Sequence, residues 1–396
     1  MGQLEELSLS VLEQLAAVLG EDHDKKAKKT KRIVIQLADR RRTGSDRSLA
    51  ARTLMFPRKA RGASIQPLAQ FFRVVNLVYE ALESGVPMTK RDMYYKDVGL
   101  FKSQAVVDRL VDDLAATLGV GRADLHVRAS SKGLVCGSRL TIHLNGGDAV
   151  EVNDSEGTLI PAGEDIANID VDEQLAWVLV VEKEAIFQTL CRLNVANHPA
   201  LTGPGLVITG KGYPDVATRQ LVKRLSDNLP PHIPILALVD GDAYGLDILS
   251  VYRFGSTQMQ HERESLAAAR IRWLGLRTSE LAGLGVPKDV LIPISKHDEK
   301  KALSMLRRSG LPKQWRKELQ YMLHNRRKAE IEVLASVQRK AAICGDLGRL
   351  AGDHAGSTGD LSTMSEGFKP TEPPALITYL VDKMNAIVDT YNAKYA

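Results

Sequence analysis

The sequence predicts a multidomain α/β protein, and three observations predict it. Apolar residues recur at three- and four-residue steps over much of residues 4–118, the spacing of amphipathic helices. From about residue 168 the pattern changes to short continuous apolar runs separated by helical stretches, the alternation of a parallel sheet flanked by helices. The 396 residues also suggest two or three domains, at about 100–200 residues each.

Taken in order, residues 4–19 read as a short amphipathic helix, with Leu4, Leu7, Val11, Leu12, Leu15, Val18 and Leu19 on one side. Residues 1–20 are expected either to dock on a partner or to pack on the protein's own body. Lys25 to Arg61 then carries fourteen Lys or Arg against Asp39 and Asp46, a net +12 in a chain of +5, so the remainder is −7. Residues 21–63 therefore read as a basic flexible arm. Such an arm neutralises nucleic-acid phosphates, or is simply a solvated linker or nuclear import signal.

Residues 64–150 read as a helix-then-strand module. Ile65–Leu82 has a helical stripe, Thr89 caps a second helix with Asp92 three residues on, and Ser103 opens a third that Gly119 ends. The β-like runs Leu125–Ala129, Leu134–Val135 and Leu140–Leu144 follow. Three helices and a β-hairpin are the order of a winged helix, which reads DNA; a generic α+β packing unit has the same pattern. Residues 168–396 form the second unit. Ala176–Val181, Leu206–Thr209 and Ile235–Val239 are its buried strands, with helical stretches at Glu184–Leu193 and Ala217–Leu229. This is a doubly wound domain, whose ligands bind at the carboxyl ends of the strands. Lys313–Arg339 and Ala375–Tyr391 read as helices, and Asp346–Pro374 as a loop.

Composition narrows the function. With 44% hydrophobic and 26% charged residues the chain has enough material for a core, and its longest apolar runs are far too short to span a bilayer. Glu5 and Glu6 stand where a secretory signal has basic residues. Cys136, Cys191 and Cys344 are scattered and fit neither a disulfide scaffold nor a zinc site, so a reducing compartment is expected.

Two constellations carry chemistry. Glu182 ends the first strand, Asp240 the third, and Asp242 follows two residues later. Carboxylates converging at a sheet edge repel unless a divalent cation neutralises them, and oxygen-only ligands favour Mg²⁺ or Mn²⁺. An Asp-x-Asp turn that merely caps a helix is the alternative. On the second helix of the first module, Arg91 and Tyr95 are four apart and share a face. A protonated phenol is a poor nucleophile, and a neighbouring guanidinium favours the phenolate or binds the phosphate under attack. Two tyrosines on an amphipathic helix also suit ordinary packing. Gly205, Gly210 and Lys211 imitate a nucleotide-binding loop, but Gly212 replaces the residue that reaches magnesium, so an ATP site is rejected. Lys211 and Tyr213 instead suit a strand-end loop that offers a cation and a ring to nucleic acid.

These pieces, in this order, resemble one family: the A subunit of topoisomerase VI and its eukaryotic relative, the transesterase that makes meiotic DNA double-strand breaks. The resemblance is carried by Arg91-Asp92-Met93-Tyr94-Tyr95-Lys96-Asp97-Val98-Gly99-Leu100-Phe101, Lys132-Gly133-Leu134-Val135 and Val181-Glu182-Lys183-Glu184. Thr209-Gly210-Lys211-Gly212-Tyr213-Pro214-Asp215 and Leu238-Val239-Asp240-Gly241-Asp242-Ala243-Tyr244-Gly245 complete it, and residues 244–252 with Trp273-Leu274-Gly275 look more like the eukaryotic branch. It implies a winged-helix (CAP-like) DNA-binding domain followed by a Toprim α/β domain. It implies Tyr95 as nucleophile with Arg91 assisting, Glu182, Asp240 and Asp242 as ligands of Mg²⁺, and Lys132, Lys211 and Tyr213 as DNA contacts. It further implies a homodimer on double-stranded DNA, with the tyrosine of one copy acting at the cation of the other. A separate ATP-binding B-type subunit, together with meiotic accessory proteins, would be partners, and meiotic chromosomes in the nucleus the place of action. A topoisomerase VI A subunit that relaxes DNA is the alternative.

Overall fold

The computed structural model describes residues 1–19, 32–43, 49–57, 64–128, 130–334 and 375–395. The first module is built on helices α1 (Gly2–Leu19), α2 (Gln66–Ser84), α3 (Lys90–Lys96), α4 (Val98–Phe101) and α5 (Gln104–Leu118). Left-handed Gly85 and Gly119 end α2 and α5, a conformation that glycine adopts without a Cβ penalty. Phe71, Val74, Leu77, Met93, Phe101, Val107, Val111 and Leu114 form the core between them.

Strands β1 (Ile33–Thr43) and β2 (Leu49–Phe56) pair as an antiparallel hairpin on this module. The expectation of a flexible basic arm over 21–63 is corrected here. Ile33, Ile35 and Leu37 alternate with less buried residues, and this two-residue period buries them in the helical core. The Ala38 N–H donates to Thr117 Oγ1 at 2.9 Å. Arg40 and Arg52 pair with Asp113 at 2.9 and 2.6 Å. Residues 20–31, 44–48 and 58–63 of the expected arm lie outside the described residues. Helix α1 packs on the same hairpin: Leu4 and Val11 are buried, and Gln14 both accepts from and donates to the Val34 backbone. Leu9, Leu12 and Leu15 remain exposed.

The runs expected to form the β-hairpin of a winged helix are divided between sheets. Strand β3 (Met88–Thr89) pairs in parallel with β4 (Val127–Arg128), and the runs beyond it leave the module. Strand β5 (Leu134–Cys136) joins the second domain's sheet, while β6 (Leu140–Leu144), β7 (Ala149–Glu151) and β9 (Ile166–Val171) form a small sheet in the order β7-β6-β9. All three residues of β5 are buried, as suits a strand held between two others rather than a solvated hairpin. Beyond β4 the chain thus contributes its next strands to the second domain's sheet and to the small sheet beside it.

The second domain is centred on a six-stranded sheet that includes β8 (Thr158–Leu159), β10 (Trp177–Val181), β11 (Gly205–Thr209), β12 (Ile235–Leu238) and β13 (Arg272–Gly275). Its order is β13-β12-β10-β11-β5-β8; β10 to β13 are parallel to one another, and β5 is antiparallel to both β11 and β8. Alternate residues of each strand feed opposite cores. Val178, Val180, Leu206 and Ile208 pack with helices α7 (Val216–Asn228) and α8 (Ala243–Phe254). Trp177, Leu179, Val181 and Val207 pack with α6 (Glu184–Arg192). Then come α9 (Arg263–Leu266), strand β14 (Ile292–Pro293) and helices α10 (Lys296–Leu306) and α11 (Lys313–Asn325). The helix expected over 313–339 stops early: Arg326 is left-handed, and β15 (Arg327–Lys328) pairs with β14. Helix α12 (Ala375–Tyr395) covers the face bearing Trp177 through Ile377, Leu380 and Met384. Among the described residues, no helix is long and apolar enough to cross a membrane.

Gly205 shows how tightly this core is closed, since a Cβ there would lie 2.2 Å from the Trp177 ring. Gly205→Ala is expected to lower stability by about 1–3 kcal/mol in a urea unfolding experiment.

Candidate active site

The site is built where the parallel strands end. Val181 of β10 stands opposite Leu238 of β12, so the residues just beyond, Glu182 and Asp240, leave the carboxyl edge side by side. Glu182 Oε2 accepts the Asp240 N–H at 2.9 Å. Asp240 Oδ1 accepts the Ile331 N–H at 2.9 Å, and its Oδ2 lies 3.1 Å from Lys183 Nζ. Asp242 caps α8: its Oδ1 accepts the Tyr244 and Gly245 N–H groups, both at 2.8 Å. Its Oδ2 lies 3.6 Å from Lys328 Nζ. Gly245 permits this tight entry, because a Cβ there would stand 2.4 Å from the Asp240 carbonyl oxygen.

The three carboxyls are sheltered from water and close enough to repel. Burial first, then the charges of Asp240 and Asp242, push the Glu182 carboxyl well above the usual range, against the pull of the Asp240 N–H. Burial likewise raises Asp240, opposed by the Ile331 N–H and Lys183. Burial would lower Lys183, but bonds to Glu332, Asp240 and Glu330 outweigh it and raise the ammonium. Lys183 Nζ lies 2.7 Å from Glu332 and 3.1 Å from Glu330. Among the described residues, no three acidic, His or Cys side chains stand gathered around a metal-sized point. The outward oxygens of Asp240 and Asp242 face lysines instead.

Arg91 and Tyr95 lie on α3, whose first turn is fixed by the Thr89–Asp92 capping box. Met93 anchors the helix in the core, which leaves Tyr95 on the outside at 59% exposure. Arg91 Nη2 donates to Tyr95 Oη at 3.4 Å, and the guanidinium lies 5.7 Å from the ring centroid. Among the described residues, Arg91 is the sole hydrogen-bond partner of that hydroxyl, so nothing covers it from outside.

Lys132, Lys211 and Tyr213 come together beside Glu182. Lys132 Nζ donates to the Lys211 carbonyl at 3.1 Å, Lys211 Nζ pairs with Glu184 at 2.9 Å, and the Gly212 N–H donates to the Glu182 carbonyl at 2.8 Å. The Tyr213 hydroxyl donates to Asp247 at 2.6 Å; burial first, then that bond, raises the phenol and keeps it protonated. Lys301 Nζ pairs with Asp247 and lies 5.9 and 5.5 Å from the Tyr213 and Tyr244 ring centroids.

Sequence reasoning missed Lys183, Lys328, Ile331, Asp247 and Asp215. For Asp215 a local signal existed, an Asp just before a helical stretch. Its Oδ1 caps α7 by accepting the Thr218 N–H at 2.7 Å, while its Oδ2 accepts the Lys132 and Gly133 N–H groups at 2.6 and 3.1 Å. One carboxylate thus ties together the two loops that carry the predicted DNA contacts.

Comparison with known proteins bears on this arrangement. Residues 66–127 match a type IIB DNA topoisomerase domain, and residues 177–344 match the topoisomerase 6 A-subunit/Spo11 Toprim domain. The mouse meiotic recombination protein SPO11 is 39% identical over 274 residues, which is 68% of this chain and 67% of the relative. The chain belongs to the topoisomerase 6 A-subunit/Spo11 family. Two further members of the family are the A3 subunit of rice DNA topoisomerase 6, 40% identical over 67% of this chain and 59% of its own length, and the fission-yeast meiotic recombination protein rec12, 36% identical over 67% and 73%. The first matched segment ends at Val127, where β4 closes the helical module, and the second begins at Trp177 with β10. In this family fold the sheet-edge carboxylates sit in the Toprim domain and Tyr95 sits in the type IIB domain.

Asp215→Ala is expected to cost about 1–2 kcal/mol of stability through the lost cap. It should also weaken DNA binding in a filter or anisotropy assay, because the Lys132 loop loses its tie, and Asp215→Asn should restore part of both.

Proposed function

We propose that this protein initiates meiotic recombination by cutting both strands of DNA, each Tyr95 becoming linked to a 5′ end. The observation that carries the reading is the pairing of an exposed tyrosine under an arginine with buried carboxylates at the edge of a Toprim sheet. In the cleavage step the Tyr95 Oη–phosphorus bond forms and the phosphorus–O3′ bond breaks. The phenolic proton passes to solvent and the departing 3′-oxygen takes one up. The number of phosphate-ester bonds is unchanged, so cleavage itself needs no nucleotide hydrolysis.

Arg91 is the group placed to assist. The Tyr95 hydroxyl raises an already strong base further, so Arg91 stays charged and acts as donor and counter-charge rather than as proton acceptor. Exposure of the hydroxyl suits attack on a duplex that arrives from outside.

The donor set at the sheet edge fits Mg²⁺. It is all oxygen, it is buried, and its mutual repulsion is met here by two ammonium groups, a need that a hard dication satisfies. Glu182, Asp240 and Asp242 would hold the ion, which when bound stabilises charge at the leaving 3′-oxygen. Asp215 holds the Lys132–Lys211 loops against the same edge, where their cations can meet neighbouring phosphates. A homodimer in which each tyrosine acts at the other copy's carboxylates, a B-type subunit docking on the exposed Leu9, Leu12 and Leu15 of α1, and action on meiotic chromosomes in the nucleus complete the reading. The identity to a topoisomerase 6 A subunit supports a second one, an enzyme that relaxes and reseals DNA with an ATPase partner. Strand-passage assays with such a partner separate the two.

Purification from meiotic cells under denaturing conditions should recover short DNA covalently attached to the protein. Tyr95→Phe should abolish that adduct, and Asp240→Asn should reduce it by about 100-fold or more. Mixing these two variants gives a sharper test. If each tyrosine works at the partner's carboxylates, half of each mixed dimer is intact and single-strand nicks appear; a site complete within one copy gives none.

A further inference from the structure

We propose that Lys183 is a built-in counter-cation for Asp240, which a divalent ion displaces onto Glu330 and Glu332. The inference rests on reading Glu182, Asp240 and Asp242 as a cation site.

The geometry around Lys183 is over-supplied with acid. A single ammonium lies within 3.1 Å of Asp240, 3.1 Å of Glu330 and 2.7 Å of Glu332. Asp240 has only 8% of its side chain exposed, whereas Glu330 and Glu332 are 43% and 46% exposed. A buried carboxylate needs a counter-charge far more than a solvated one. When Asp240 turns to a dication, Lys183 keeps two carboxylates already within bonding distance, so the exchange needs only a side-chain rotation. Without Glu330 and Glu332 the ammonium would be left beside a dication with no acid to receive it.

Lys328 does not share this design. Its ammonium is bonded at 3.0 Å to the buried Asp298 and stands back at 3.6 Å from Asp242. The segment that carries Glu330 and Glu332 is fixed against the site by backbone bonds, Gly241 N–H to the Ala329 carbonyl at 2.8 Å and Ile331 N–H to Asp240 Oδ1 at 2.9 Å. The receiving acids are therefore held in place whether or not the ion is bound. Lys183 is a positioning residue on this account, and it sets the affinity of the site.

The test is calorimetric titration of the full chain with Mn²⁺, with melting temperature followed in parallel. Lys183→Met should bind Mn²⁺ about tenfold more tightly, because the competing ammonium is gone. Glu330→Gln with Glu332→Gln should weaken binding by about threefold to tenfold, and adding Lys183→Met to that pair should erase the loss. Weaker or unchanged binding in Lys183→Met, with binding still abolished by Asp240→Asn, overturns the exchange while the cation site stands. Binding that survives Asp240→Asn removes the cation site and the exchange with it. Should Lys183→Met fail to fold, the Glu330/Glu332 pair decides alone: undiminished affinity there overturns the exchange.

Discussion

Like charges held out of water at the end of a parallel sheet are the constraint around which this structure is arranged. The register of β10 against β12 forces Glu182 and Asp240 together, and the abrupt start of α8 adds Asp242. Several neighbouring groups then offer positive character to that point. The Asp240 and Ile331 backbones give N–H groups, the first turn of α8 gives two more, and Lys183 and Lys328 give ammonium charge. Such crowding does nothing for stability, since apolar residues of similar size would cost less to bury. It is retained where chemistry needs it.

Much of this is legible from the sequence because the relevant signals are local. Continuous apolar runs mark the strands of the second domain, and the acid that ends each run marks Glu182 and Asp240. Arg91 and Tyr95 can be paired from helical spacing alone. The hairpin at 33–56 is hidden because a dense run of Arg and Lys draws attention to charge, while its information lies in the alternation of Ile33, Ile35 and Leu37. Strand β5 is misread for a different reason. Three apolar residues say that a strand is buried, but not in which sheet, and its partner β11 lies some seventy residues later. Lys183, Glu330 and Ile331 are out of reach altogether, because their roles arise only when the chain returns across the sheet edge about 150 residues on.

The division of labour between the two domains follows from the same placement. Helix α3 keeps Tyr95 on the outside of a well-packed helical module, with one arginine for company. The carboxylates lie in the other domain, enclosed by loops that Asp215 fastens to one another. On the function proposed above, a nucleophile that reaches into a long polymer gains from exposure, and acids that share one ion gain from shelter. Placing them in separate modules lets each environment be set without compromising the other.

The internal ion pairs of the hairpin bear on how the protein would respond to salt. Arg40 and Arg52 belong to the most basic stretch of the chain, yet both guanidiniums are engaged by Asp113, and Arg40 also by Asp112. They are not available to release condensed counterions from a duplex. Counting basic residues along the sequence therefore overstates the number of backbone phosphates this region can neutralise, and the steepness with which ionic strength competes for DNA will reflect only the side chains left facing solvent.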